Sequence, residues 1–190
     1  RGRRLGRQLG EQLGAADYSY RKIHLIAASL GSHVADGFSR GYVMATTALE
    51  RAYVHMTFLE AFGGRRWRFG RYADFAEHYF TARDPFPLTN SRLRNAFNFE
   101  VSALVPENAD PAFWYYHDFP VLDYRTSVGE LRPGFSLSPL ALEASGVDCT
   151  ILAEVFPPGE VRVLAAQSAL RLWKLYRAPR IGPQSAGSGP

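Results

Sequence analysis

Residues 23–37 read IHLIAASLGSHVADG, an apolar run that gives way to small residues around Ser29. The wider segment 15–29 fits either a helix or a strand, because a short apolar run has no periodicity that separates the two. As a strand, it would enter a tight turn at Ser29 and continue into a helix. As a helix, it would present only a series of small residues to its neighbours. Both alternatives bear directly on the fold class.

The strand alternative resembles the nucleophile elbow of lipases and other α/β-hydrolases. In that family an apolar strand runs into a small-x-Ser-x-Gly turn, which is followed by a helix. Ala27, Ser29 and Gly31 would occupy the turn, and the residues from His33 onward are similar to the start of the next helix. The resemblance extends over about thirteen residues. It implies that Ser29 is a nucleophile.

The rest of the chain departs from the pattern of that family. An α/β-hydrolase needs several strands and an oxyanion loop ahead of the elbow, yet only an arginine–glycine segment precedes Ile23. An acid and then a histidine should follow the serine. Asp118 or Asp123 would need a later histidine, and none occurs after His117. We therefore expect that no triad in the family's order forms, and that Ser29 is inert toward a fluorophosphonate probe.

The strongest periodic signal lies between residues 33 and 62. Apolar residues there recur in steps of four and three, at Phe38, Tyr42, Ala45, Leu49, Ala52, Met56 and Leu59. Such spacing is typical of a helix that lies along another helix, and the glycines at 63 and 64 would end it. We predict one long central helix over about 33–62, packed through the seam residues Phe38, Leu49, Met56 and Leu59. On this prediction Leu49→Asp destabilises the protein by several kcal/mol.

The remaining segments complete a mostly α-helical prediction. A second, shorter helix is predicted from about 65 to 84. Residues 85–133 contain six of the twelve prolines and many aromatic residues, which predicts an extended, irregular segment. A C-terminal helix is predicted over about 159–177, and 181–190 is predicted to be a tail. The predicted fold is thus an irregular, mostly α single domain over 1–190.

Charge and composition narrow the class of protein. The net charge is +4, and only Lys22 and Lys174 are lysines among 22 basic residues. Four arginines fall within the first seven residues, and an arginine-rich, acid-poor N-terminus is typical of mitochondrial targeting segments. Cys149 is the only cysteine, so no internal disulfide is expected. No apolar run is long enough to cross a membrane as a helix. We predict a mitochondrial protein without a transmembrane span.

The segment 1–14, RGRRLGRQLGEQLG, has glycine at every fourth position. Glycine costs a helix about 1 kcal/mol relative to alanine, so this spacing indicates that a second backbone comes close. The arginines exclude burial in lipid. We predict a helix that docks on another chain or on lipid head groups, with its contacts at Gly2, Gly6, Gly10 and Gly14.

The candidate chemical motifs are few. The chain has five histidines, at His24, His33, His55, His78 and His117. None has the spacing of a zinc helix, and no glycine-rich phosphate loop is present, so we expect neither a metal nor a cofactor. Arginines alternate with aromatic residues in 65–72, which suits RNA, acidic protein or lipid head groups. The modest charge makes nucleic acid the less favoured partner.

These patterns favour a non-catalytic accessory subunit of a large organellar assembly. We expect it to be bound peripherally to a mitochondrial inner-membrane energy complex, either ATP synthase or a respiratory complex, with other subunits as its partners. The predicted interface consists of the four glycines, the seam residues, Arg65, Arg66, Trp67, Arg68 and Trp114. Two alternatives stay open: a mitochondrial ribosomal protein that binds rRNA through 65–72, and a serine hydrolase with Ser29 as nucleophile.

Overall fold

Helices and strands alternate along the chain in a computed structural model, which describes residues 1–16, 20–63, 68–106, 113–129, 159 and 161–163. The elements in chain order are α1 (Gly2–Ala15), β1 (Lys22–Ala28), α2 (Gly31–Ala45), β2 (Tyr53–Leu59), β3 (Phe75–Phe80), β4 (Phe97–Glu100), a 3-10 helix (Ser102–Leu104), α3 (Phe113–Gly129) and β5 (Val161–Val163). None of the helices in these ranges is long and apolar enough to cross a membrane.

The five strands form one parallel sheet in the order β1-β2-β3-β4-β5. The fold is therefore α/β, and the mostly α prediction is wrong. Side chains of β2 and β3 are buried on both faces of the sheet, as expected for a parallel sheet between helical layers. One face packs with α2 through Val54, Met56 and Phe58. The other packs with α3 through Tyr79 and Tyr124.

The predicted helix over 33–62 is two elements, because α2 ends at Ala45 and β2 begins at Tyr53. Leu49 lies between them in a turn and is 100% exposed, so it belongs to no buried seam. Met56 and Leu59 are buried, but in β2. A strand that is buried on both faces is apolar at nearly every position, so a step of four and three can be read out of it although no helix is present.

The other helical predictions fail in similar ways. Residues 75–80 of the predicted helix 65–84 form β3, and residues 161–163 of the predicted helix 159–177 form β5. The stretch 85–133, predicted to be irregular, contains β4 and the helix α3, and α3 includes Pro120. Residues 130–158, 160 and 164–190, including the predicted tail 181–190, lie outside the described residues.

α1 packs along α2 through glycines on both helices. A Cβ added at any of four positions would overlap a backbone carbonyl oxygen of the other helix, namely Gly6, Gly10, Gly37 and Gly41. Arg3 in α1 also pairs with the buried Asp36 in α2 at 2.9 Å. The helix predicted for 1–14 is therefore present. Its glycine face lies against α2 of the same chain, so the close backbone approach needs no second molecule.

Candidate active site

Ser29 occupies the tight turn between β1 and α2. Its φ of 48° lies in the left-handed region, which a serine keeps only where the surrounding structure holds it. Its N–H donates to the carbonyl of Leu59 at 2.9 Å, and its own carbonyl accepts from the N–H of Phe62 at 3.2 Å. Leu30 follows at the N-cap of α2. The strand alternative for 23–28 is therefore right, and the turn has the strand–turn–helix geometry of a nucleophile elbow.

A second group of side chains is built around Asp84 and His117. Nδ1 of His117, near the start of α3, lies 2.7 Å from Oδ2 of Asp84, which is buried in the loop after β3. The Asp84 carboxylate also accepts from the hydroxyl of Thr89 at 2.6 Å and the N–H of Phe86 at 2.9 Å. A carboxylate only accepts, so Nδ1 of His117 carries the proton and Nε2 is the basic nitrogen.

Hydrogen bonds join the segment around Glu60 to both groups at the carboxyl edge of the sheet. The Ser29 turn is bonded to Leu59, the residue before Glu60, and to Phe62, two residues after it, and Glu60 directly follows β2. The Glu60 carboxyl lies 2.6 Å from the N–H and 2.8 Å from the hydroxyl of Thr81. That hydroxyl is also 2.8 Å from the carbonyl of Tyr116, the residue before His117. This edge, where parallel strands end, is where α/β proteins place their ligands.

The chain order Ser29, Asp84, His117 is the order of the α/β-hydrolase triad. The sequence argument looked for the acid at Asp118 or Asp123 and so missed Asp84, which precedes His117. An acid and a later histidine therefore follow Ser29 in the family's order, and the expectation that no triad forms stays a prediction. Recognition of β3 would have found Asp84, because β3 ends at residue 80 and its next residues lie at the same sheet edge as Ser29.

Glu60 is a second buried acid at this edge, and its φ of 49° is also in the left-handed region. Burial raises the pKa of Glu60 to about 9; the two bonds from Thr81 oppose the rise, and the charges of Asp84 and Glu100 add to it. Among the described residues, Oε2 has no hydrogen-bond partner. Glu60 is therefore protonated at neutral pH.

His24, His55 and Glu77 are the described residues that could hold a metal ion, since their ligand atoms all lie within 4.8 Å of one another. The Thr57 hydroxyl, however, lies between them, 2.8 Å from Nε2 of His24, 2.6 Å from Oε1 of Glu77 and 3.4 Å from Nε2 of His55. Glu77 also accepts from the Tyr79 hydroxyl at 2.8 Å. Burial, with the charge of His55, lowers the pKa of His24 to about 4 against the opposing charge of Glu77. We interpret these groups as a buried hydrogen-bond network.

The interface residues predicted from the sequence do not form one surface in the described part of the chain. Gly2, Gly6, Gly10 and Gly14 lie on α1, whose glycine face is against α2. Phe38 is half-buried on α2, Leu49 is exposed in a turn, and Met56 and Leu59 are buried in β2. Arg68 is exposed. Arg65, Arg66, Trp67 and the side chain of Trp114 lie outside the described residues.

Comparison with known proteins finds no relative: no family model, curated protein or solved structure matches this chain. The side chains at the carboxyl edge of the sheet are therefore the basis on which a function is inferred.

Proposed function

We propose that this chain is a serine hydrolase that cleaves an ester or a related acyl bond. Ser29 is the nucleophile, His117 the general base and Asp84 the acid that orients it. The observation that carries the proposal is the 2.7 Å hydrogen bond between the buried Asp84 and His117, at the sheet edge that also carries the Ser29 turn. The parallel sheet and the chain order of the three residues also support it.

Each group has a defined part in the proposed reaction. Oγ of Ser29 attacks the carbonyl carbon of the substrate while Nε2 of His117 takes the serine proton. The N–H of Leu30, at the start of α2, donates to the oxygen that becomes negative. His117 then protonates the leaving group, and the acyl group stays on Ser29 until a water molecule, deprotonated by His117, releases it. Asp84 stays ionised and stabilises the charged imidazole.

The first experiment is labelling with a fluorophosphonate probe, followed by identification of the modified peptide by mass spectrometry. The parent protein should be labelled at Ser29, because the general base and the nucleophile lie at one sheet edge. Ser29→Ala should abolish labelling, while Ser91→Ala, a loop serine outside the site, should leave it unchanged. A folded parent protein that is not labelled, or labelling that survives Ser29→Ala, would contradict the proposal.

The second experiment tests the pair that orients the base. Asp84→Asn should lower the labelling rate by about 10²–10⁴-fold, because the amide favours the wrong tautomer of His117. Asp118→Asn is the matched control, since Asp118 is exposed and adjacent to His117 in sequence. Circular dichroism confirms that both variants are folded. Equal rates for the two variants would remove Asp84 from the mechanism.

The role of a non-catalytic subunit in a mitochondrial energy complex stays a prediction, as does rRNA binding through 65–72. The labelling experiment separates them from the hydrolase, because neither role needs an activated serine. An unlabelled parent that co-purifies with inner-membrane subunits would favour the first role, and one that co-purifies with ribosomal RNA would favour the second.

A further inference from the structure

We propose that protonated Glu60 is a positioning residue for His117, acting through Thr81, and that loss of its proton switches the site off. The inference rests on the proposed function, because it concerns the base that activates Ser29. Glu60 would thus regulate the site without touching the substrate.

The Thr81 hydroxyl has one proton and lies within hydrogen-bond distance of two acceptors. The hydroxyl oxygen lies 2.8 Å from Oε1 of Glu60, the oxygen that also accepts the Thr81 N–H at 2.6 Å, and 2.8 Å from the carbonyl oxygen of Tyr116. A hydroxyl has one proton, and the Tyr116 carbonyl can only accept. Both contacts are full hydrogen bonds only when Glu60 donates to Thr81 and Thr81 donates to Tyr116. That arrangement needs the proton on Glu60.

Ionisation of Glu60 changes the hydrogen bonds of Thr81. An ionised Glu60 accepts more strongly than a neutral carbonyl, so it takes the Thr81 proton. The Tyr116 carbonyl then loses its bond from Thr81. Tyr116 precedes His117 in the first turns of α3, and the residue four positions after it is Pro120, which has no N–H to donate to the Tyr116 carbonyl, so the helix does not replace the lost bond. The position of His117 relative to Ser29 becomes less defined, which slows a proton transfer that depends on geometry.

The charged groups around Glu60 affect whether it keeps its proton. Asp84, from the loop after β3, and Glu100, at the end of β4, both act to keep the proton on Glu60. His117 from α3 is bonded to Asp84. On β3, His78 accepts from the N–H of Ala61 at 3.2 Å, and burial lowers the pKa of His78 to about 4, so it is neutral. Burial, together with the charges of Asp84 and Glu100, raises the pKa of Glu60 and so favours its protonated form at neutral pH.

The experiment measures the rate of fluorophosphonate labelling at Ser29 against pH, with each variant normalised to its own rate near pH 7.5. The parent rate should fall about tenfold by pH 10, because one pH unit above a pKa of about 9 leaves roughly a tenth of Glu60 protonated. Glu60→Gln has no proton to lose, so its rate should stay within about twofold. Glu11→Gln, at an acid of α1 far along the chain from the site, should follow the parent. Circular dichroism at each pH excludes unfolding.

Thr81 provides the second arm. Thr81→Val keeps the backbone N–H but removes the hydroxyl, so it should lower the rate near pH 7.5 by about tenfold and flatten the alkaline profile. Thr81→Ser keeps the hydroxyl and should restore both. If the parent is labelled and Glu60→Gln shows the same alkaline loss, the inference is overturned and the proposed function stands. If the folded parent is never labelled, the proposed function fails and the inference fails with it.

Discussion

Ser29 and Glu60 share an unusual backbone conformation at the ends of adjacent strands. Each is a non-glycine residue with a φ near 50°, and each directly follows a parallel strand. Their backbone N–H groups donate to the next strand, Ser29 to Leu59 and Glu60 to Tyr79, both at 2.9 Å. A left-handed non-glycine residue costs about 1–3 kcal/mol, and such residues cluster at functional sites. The presence of two such residues at the ends of adjacent strands supports the carboxyl edge of the sheet as the functional site.

Glu60 should make the fold less stable as the pH rises through the neutral range. Its pKa is raised from 4.5 to about 9 by burial, so between these values the unfolded chain releases a proton that the folded chain keeps. The contribution of this group is fully present below pH 4.5 and is lost as the pH rises toward 9. The melting temperature of the parent, relative to Glu60→Gln, should therefore fall from about pH 5 to about pH 8.5. A constant difference would contradict a buried, protonated Glu60.

At the scale of elements, the pair of α1 and α2 holds the nucleophile turn, because Ser29 immediately precedes α2. The glycines let the two backbones touch, so helix stability here comes from packing and not from intrinsic propensity. Burial raises the pKa of Asp36, and the charge of Arg3 opposes that rise across the same interface. α1 is therefore part of the scaffold on which the candidate site is built.

Gly10→Ala tests this packing. Alanine is the better helix former by about 1 kcal/mol, but its Cβ would overlap the carbonyl of Phe38, so the fold should lose about 1–3 kcal/mol. Gly31→Ala is the matched control, since a Cβ there meets nothing within 4 Å, and its stability should be unchanged or slightly higher. Urea unfolding measures both. A more stable Gly10→Ala protein would show that the two helices are not in close contact.

At the scale of the whole molecule, the sheet determines where the chemistry lies. All its strands run in one direction, so the residues that follow β1, β2 and β3 meet at one edge. Ser29, Glu60 and Asp84 each lie at such a position, and α3 brings His117 into contact with Asp84. The polar network around Thr57 joins side chains from within β1, β2 and β3 and not from the residues that follow these strands.

The α/β fold reverses the effect expected for Leu49→Asp. Leu49 is exposed in the turn between α2 and β2, so its replacement should change the free energy of unfolding by less than about 0.5 kcal/mol. Met56→Asp buries a charge in β2 and should prevent folding or cost more than about 4 kcal/mol. Thermal melts of the two variants measure this contrast. Similar losses for both would contradict the exposed position of Leu49.

The sequence by itself determined two local features of the backbone. Glycines at every fourth position predicted the helix at 1–14 and its close contact, and the residues around Ser29 predicted the strand–turn–helix as one of two alternatives. Both features depend on residues that are only a few positions apart in the sequence, so a short stretch of sequence is enough to predict them. The glycine spacing did not show that α2 is the backbone that α1 contacts, because most of α2 was expected to belong to a longer helix over 33–62.

Only the tertiary structure decided that β2 and β3 are strands and that Asp84 belongs with His117. A strand covered on both faces loses the alternation that would identify it, so its apolar run is compatible with a helix. Glu77 and His78 in β3 are buried, and their side chains form hydrogen bonds with His55 and Asn98 on neighbouring strands. These partners are distant in sequence, so no local pattern predicts the burial of the two polar residues. Asp84 and His117 are 33 residues apart, and they meet because α3 places His117 against the loop that follows β3.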